Sequence, residues 1–185
     1  MLEIESKILE IKEDEVIEKL EKMNYKGKKE KKLISLLYDT KENSIVEKGG
    51  IVRLRFDGEK GYLTIKIPVK NDNNEIKSFE EKEKEINFNE MVEEFKQTHI
   101  LILKTEKIRK TYIFEKCVVE IDKYLDNMSF IPCFLEIEGK NEDVILEKAI
   151  ELGFEKKDLK MKRRGYARAV QEGLTQCVTF SLLLQ

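Results

Sequence analysis

No apolar run in the 185 residues approaches the roughly 20 residues a membrane-spanning helix needs, so no membrane partner is expected. The opening residues, MLEIESKILEI, have no basic region leading into an apolar stretch and a small-residue cleavage site. No signal peptide is read there, and the cytoplasm is the expected location. Cysteine is scarce: Cys117, Cys133 and Cys177 are odd in number and widely spaced, which supports neither a disulfide framework nor a zinc site. Histidine occurs once, at His99, with no partner group nearby in sequence. A helix-end or surface role outweighs a catalytic one for it. An excess of one sign of charge is also missing. Basic side chains number 35 against 37 acidic, for a net charge of −2. That balance argues against a nucleic-acid binder working through a general basic field.

What the chain does have is charge in quantity, 39% of all residues, and the charge is ordered. Residues 2–10 alternate, with Leu2, Ile4 and Ile8 against Glu3, Glu5 and Lys7. Such a period of two reads as a strand. Residues 13–24 change period: Val16, Ile17, Leu20 and Met23 fall on one helical face. Strands are predicted at 33–38, at 51–56 and 62–67 as a hairpin about Asp57–Gly61, at 107–114 and 117–124 as a second hairpin, and at 133–138. Residues 70–78 read as a polar loop, 79–86 as a charged stretch and 89–97 as a short helix. Residues 141–153 form a helix with Asn141 as N-cap and Gly153 at its end. The total of seven or eight strands and two or three helices is an antiparallel α+β domain.

The strands share one feature. Side chains two apart point to the same face, about 7 Å apart along it. Arg53 and Arg55 alternate with Val52, Leu54 and Phe56, and Thr64 and Lys66 alternate with Leu63, Ile65 and Ile67. Lys107 and Arg109 flank Ile108, Glu120 and Asp122 flank Ile121, and Glu136 and Glu138 flank Ile137. An antiparallel sheet with one wet face gives such alternation by itself. Two observations favour a site. Same-sign pairs share a strand, Arg53 with Arg55, Lys107 with Arg109 and Glu136 with Glu138, and arginine is chosen at paired positions of a lysine-rich chain. Arginine's planar fork suits phosphate oxygens, and hard carboxylate oxygens select Mg²⁺ or Mn²⁺.

These residues resemble the CYTH superfamily, the triphosphate tunnel metalloenzymes. Glu3-Ile4-Glu5-Ser6-Lys7 fits the family's Glu-x-Glu-x-Lys signature. Further matches follow in family order: Tyr38-Asp39-Thr40, Arg53-Leu54-Arg55, Thr64-Ile65-Lys66, Lys107-Ile108-Arg109-Lys110, Val119-Glu120-Ile121-Asp122 and Leu135-Glu136-Ile137-Glu138. The family includes inorganic triphosphatases, thiamine triphosphatases and class IV adenylyl cyclases. The resemblance implies an eight-stranded antiparallel closed β-barrel, a tunnel lined with charge, with helices packed outside and spanning residues 1–170. It implies Mg²⁺ or Mn²⁺ held by Glu3, Glu5, Glu136 and Glu138. Glu120 and Asp122 would lie near a second metal or its waters and share the catalytic work with Lys7. The phosphates would be held by Lys7, Arg53, Arg55, Lys66, Arg109 and, more weakly, Lys107.

The expected reaction is hydrolysis of a small triphosphate, inorganic triphosphate by preference, through attack by a metal-activated water. Class IV adenylyl cyclase and a non-catalytic polyphosphate- or nucleotide-binding module are the alternatives. Two segments depart from the family pattern. Residues 80–85, EEKEKE, have no arginine, and Glu83 and Glu85 are the candidates there. Near the C-terminus, Arg163-Arg164-Gly165-Tyr166-Ala167 has glycine where the family often has serine. The last stretch, within 171–185, contains the uncharged run GLTQCVTFSLLLQ. Its open readings are a packing segment, an oligomer contact such as a homodimer interface, or a reading-frame tail.

Overall fold

The structure is a computed structural model that describes residues 4–70 and 76–161. Glu3, the basic segment 162–167 and the uncharged tail lie outside the described residues. The described residues fall into two compact units. The first holds 4–35, 56–59 and 104–161; the second holds 36–55, 60–70 and 76–103.

The first unit contains β1 (Ile4–Ile8), α1 (Glu13–Glu21), β7 (Cys117–Tyr124), β8 (Phe134–Gly139), α4 (Glu142–Glu151) and β9 (Lys160–Met161). The second contains α2 (Ser44–Glu47), β3 (Ile51–Phe56, whose last residue falls to the first unit), β4 (Gly61–Lys70), β5 (Ile76–Ile86) and α3 (Phe88–Thr98). Two long strands, β2 (Gly27–Asp39) and β6 (Ile100–Ile113), contribute residues to both. In the first unit the neighbours run β6-β7-β8-β1-β9, and in the second β5-β4-β3. The β1–β8, β1–β9, β4–β5, β6–β7 and β7–β8 pairs are antiparallel.

The closed eight-stranded barrel needs correction. The hydrogen-bonded order has nine strands and ends at β5 and β9. Among the described residues no pairing joins those two, so the sheet is open. The physical reason lies at the edges. β5, at one end of the order, alternates Glu80, Lys82 and Lys84 with Glu81, Glu83 and Glu85. Charge on both faces is how natural edge strands discourage further pairing.

The helical period predicted for α1 is what fixes the first core. Val16 and Leu20 of α1 pack with Ile145, Ala149 and Leu152 from the α4 segment against Ile8, Val119, Ile121, Leu135 and Ile137. Each fully buried aliphatic side chain contributes about 1.5–3 kcal/mol. α4 starts where predicted: the Asn141 side chain accepts a bond from the Val144 amide at 2.9 Å. It stops at Gly153, whose φ is +84°. The amides of Gly153 and Phe154 donate back to Ile150 and Ala149, the paired bonds of a Schellman ending. Lys19 of α1 donates to the Leu152 carbonyl at 2.7 Å, tying the two helix ends together.

The second core is smaller. Phe95 of α3 packs with Leu36, Tyr38, Val52 and Leu54, with Leu63, Ile65, Met91 and Val92 around them. Asp39, from the Tyr38-Asp39-Thr40 match, is completely buried. Its carboxylate accepts from the amides of Thr40, Ile45 and Val46 at 2.6, 2.9 and 2.9 Å. It shapes the turn into α2 rather than facing a ligand. A buried carboxylate is tolerated only with such bonds.

One paired carboxylate makes a clear pH prediction. Glu106 on β6 pairs with Lys32 at 2.6 Å and Lys104 at 2.8 Å. Hydrogen bonds from Lys104 and Lys32 lower its pKa from 4.5 to about 2. A carboxyl with a depressed folded pKa stabilises above its unfolded value and loses that contribution as pH falls. The stability difference between the wild type and Glu106→Gln, measured in urea, is therefore expected to be largest above pH 5. It should shrink steadily from pH 4.5 towards pH 2.

Candidate functional site

In the first unit the sheet separates its side chains as the alternation predicted. Ser6, Val119, Ile121, Leu135 and Ile137 are buried. Glu5, Lys7, Lys107, Arg109, Glu120, Asp122, Glu136 and Glu138 occupy the alternate positions. Lys110, between the two sets on β6, goes the other way and donates to Glu13 of α1 at 2.8 Å.

Strand register decides which of these charges meet. Glu5 lies directly opposite Glu138, Lys7 opposite Glu136, Glu120 opposite Glu136 and Arg109 opposite Asp122. Two of the four are carboxylates facing carboxylates. Like charges directly across a ladder are destabilising, so a fold that builds two such pairs needs cations among them.

Arg109 is the hub of that compensation. It donates from Nε to Asp122 Oδ1 at 2.7 Å and from Nη2 to Asp122 Oδ2 at 2.5 Å. It also donates from Nη2 to Glu136 Oε2 at 2.6 Å and forms an ion pair with Glu120 through Nη1. Lys107 donates to Asp122 Oδ2 at 2.5 Å. Lys7 forms an ion pair with Glu136 and stands 4.7 Å from the Phe134 ring centroid. Thr111 donates to Glu120 Oε1 at 3.1 Å.

Burial works to lower the Arg109 pKa, but the hydrogen bond and charge of Asp122, with the charges of Glu120 and Glu5, outweigh it and raise it. Burial likewise works to raise Asp122. The bond from Arg109 and the charges of Lys107 and Arg109 prevail and hold it below the usual carboxylate value. Asp122 has no solvent exposure and Glu136 only 8%. Both are charged groups held in place by cations, the condition under which buried carboxylates persist.

The donor set fits a hard divalent ion in chemistry. Glu5, Glu120, Glu136 and Glu138 supply carboxylate oxygens from three adjacent strands, in two facing pairs. Among the described residues no three acidic, histidine or cysteine side chains are already gathered into a metal cage. Glu3, the remaining expected ligand, lies outside the described residues.

In the second unit the phosphate candidates Arg53, Arg55 and Lys66 occur with acids from β5. Thr64 faces Glu83 and Lys66 faces Glu81 in the β4–β5 register. Arg55 Nη2 donates to both Glu83 oxygens at 3.2 and 3.1 Å, and its guanidinium carbon lies 5.3 Å from the Tyr62 ring centroid. Lys66 pairs with Glu81 at 2.6 Å. Thr64, buried, accepts from Arg53 at 3.2 Å and donates to Glu83 at 2.7 Å. Glu85 instead pairs with Lys60, both being exposed.

Thr64 and Glu81 are members of this cluster that sequence reasoning did not assign. The signal for Thr64 was its position two residues before Lys66, on the same strand face. His99 lies apart from these side chains. It ends α3, stacks on Phe95 with centroids 4.4 Å apart, and shares a 2.8 Å hydrogen bond with the Thr98 hydroxyl. That is the helix-end role expected for it.

No curated protein matches the sequence. Solved structures do match, at low identity. A Pyrococcus horikoshii OT3 protein is 26% identical, with TM-score 0.66, over 93% of this chain and 99% of its own. A candidate adenylate cyclase from Vibrio parahaemolyticus is 13% identical, with TM-score 0.72, over 93% and 98%. A candidate adenylyl cyclase from Hippeastrum, described as having a dominant triphosphatase activity, is 16% identical, with TM-score 0.67, over 93% and 96%. Among the described residues no helix is long and apolar enough to cross a membrane. The CYTH domain family matches residues 1–165, nearly nine-tenths of the sequence, and the chain belongs to that family.

Proposed function

We propose that the chain is a divalent-metal-dependent hydrolase of triphosphate compounds, with inorganic triphosphate as its substrate. The observation that supports this best is the first-unit cluster, where Glu5 faces Glu138 and Glu120 faces Glu136 beside Lys7, Lys107 and Arg109. Phosphoryl transfer asks the protein chiefly for positioning and for charge stabilisation. This cluster offers both signs of charge for that work.

Glu5, Glu120, Glu136 and Glu138 would hold Mg²⁺ or Mn²⁺, together with Glu3. A divalent ion there supplies charge neutralisation and water activation. Lys7, Lys107 and Arg109 donate to phosphate oxygens in this reading. Arg53, Arg55 and Lys66 are further phosphate ligands in the proposal. Glu120 acts beside Lys7 at the reacting phosphate. Asp122 acts through Lys107 and Arg109, whose positions it fixes, and is a positioning residue.

The test is phosphate release from tripolyphosphate, thiamine triphosphate and ATP with Mg²⁺ or Mn²⁺. Orthophosphate and pyrophosphate from tripolyphosphate are the expected products. Cyclic AMP with pyrophosphate from ATP would establish the cyclase instead, and tight binding without product would leave a binding module. Arg55→Ala is expected to lower kcat/KM about 10–100-fold, the equivalent of one charge-assisted hydrogen bond worth about 1.5–3 kcal/mol. A change under twofold would remove Arg55 from the proposal.

A further inference from the structure

The acids of β5 have no counterpart in the phosphate and metal roles assigned so far. We infer that Glu83 is an intramolecular stand-in for a substrate phosphate on Arg53, Arg55 and Thr64, and that its displacement sets the affinity of the chain for triphosphate. This rests on the proposed function, because it takes those cations to be phosphate ligands.

The contacts have the character of a replaceable anion. Glu83 accepts from Thr64 at 2.7 Å, but both of its contacts with Arg55 come from a single nitrogen, at 3.1 and 3.2 Å. Arg53 Nη2 stands 3.9 Å from Glu83 Oε2. A well-formed arginine–carboxylate pair uses two nitrogens at about 2.7–2.9 Å. Meanwhile the Nε of Arg53 is buried and has no hydrogen-bond partner among the described residues. Such a group is uncommon in native structures and is a donor that Glu83 leaves unsatisfied. A phosphate has more charge than a carboxylate and at least three acceptor oxygens, so it can satisfy donors that one carboxylate cannot.

Exposure points the same way. The Glu83 side chain is 34% exposed, against 16% for Arg53 and 23% for Arg55. The acid is the member of the set able to swing into water, and an incoming phosphate takes over the donors it leaves. The cations stay in place. β5 is also an edge strand among the described residues, with β4 as its one strand neighbour there.

The opposite roles predict opposite signs. A metal ligand, or an acid that orients Arg55, would weaken binding when neutralised. A competing anion would strengthen it. The experiment is calorimetric titration of tripolyphosphate into the metal-free full chain, for the wild type, Glu83→Gln, Glu83→Ala and Glu80→Gln. Glu80 lies on the other face of β5 and pairs with Lys82 at 3.4 Å, so its substitution removes equal charge from the same strand. Tighter binding by about 3–10-fold, or about 0.7–1.4 kcal/mol, is expected in both Glu83 variants, with Glu80→Gln within twofold of the wild type. Unchanged or weaker binding in the Glu83 variants overturns the inference, as does an equal gain in Glu80→Gln, which would make it a matter of net charge.

Turnover separates this inference from the reading beneath it. If the wild type hydrolyses tripolyphosphate and Glu83→Gln binds no more tightly, only the stand-in role fails. If the Glu83 variants bind more tightly and nothing is hydrolysed, only the hydrolase reading fails. If no variant binds tripolyphosphate, the stand-in role fails with the phosphate assignment itself.

Discussion

Glu136→Gln is expected to reduce triphosphate turnover by about 10²–10³-fold, the usual loss when one member of a preorganised electrostatic site is removed. Glu136 is the carboxylate of the first-unit cluster with charged residues opposite it on both neighbouring strands. It faces Lys7 across one strand pair and Glu120 across the other, and it accepts from Arg109 at 2.6 Å. Glutamine keeps the length and one acceptor oxygen, so the contact with Arg109 can survive. What is lost is the negative charge, and with it a hard ligand for a divalent ion. Lys7 and Arg109 are then under-compensated and hold phosphate in a geometry without its metal counter-charge. The change should therefore appear mainly in kcat, and raising Mn²⁺ should recover only part of it. Circular dichroism and a thermal melt check that the fold survives. Turnover within threefold of the wild type would remove Glu136 from the catalytic set.

Much of this arrangement was legible in the sequence because a strand's period of two is rigid. Once Ile121 and Ile137 are assigned to the core, Glu120, Asp122, Glu136 and Glu138 have no choice of face. The register that opposes Glu5 to Glu138 was not legible, since it depends on how β1 meets a strand some 130 residues away. Residues 27–32 and 100–106 were missed as strand because four lysines and one glutamate in the first, and an unbroken Ile-Leu-Ile-Leu run in the second, give no clean alternation. The EEKEKE stretch hid β5 for the same reason: both faces are charged, as suits an edge. Barrel closure was over-read because it depends on two edge strands meeting, and local pattern does not encode that. Asp39 resembled a motif residue but is spent on three backbone amides, a use only the turn into α2 reveals.

Asp122→Ala tests the structural side of the same cluster and should destabilise the protein by about 3–5 kcal/mol, the cost of leaving buried charge without its partner. Both oxygens of Asp122 are occupied. Oδ1 accepts from Arg109 Nε, and Oδ2 accepts from Arg109 Nη2 and Lys107 Nζ. With zero exposure, no water can take its place without a rearrangement. Alanine would leave the cations with a cavity instead of a carboxylate, and Arg109 would have only Glu120 and Glu136 to hold it. Asp122→Asn retains the shape and one acceptor, so it should lose distinctly less. A difference between the two variants separates loss of charge from loss of packing. Urea unfolding at pH 7 with a shared m-value gives both numbers. A loss below 1 kcal/mol for Asp122→Ala would mean that Lys107 and Arg109 are solvated well enough without it. In that case Glu120 and Glu136 suffice to hold Arg109 in place.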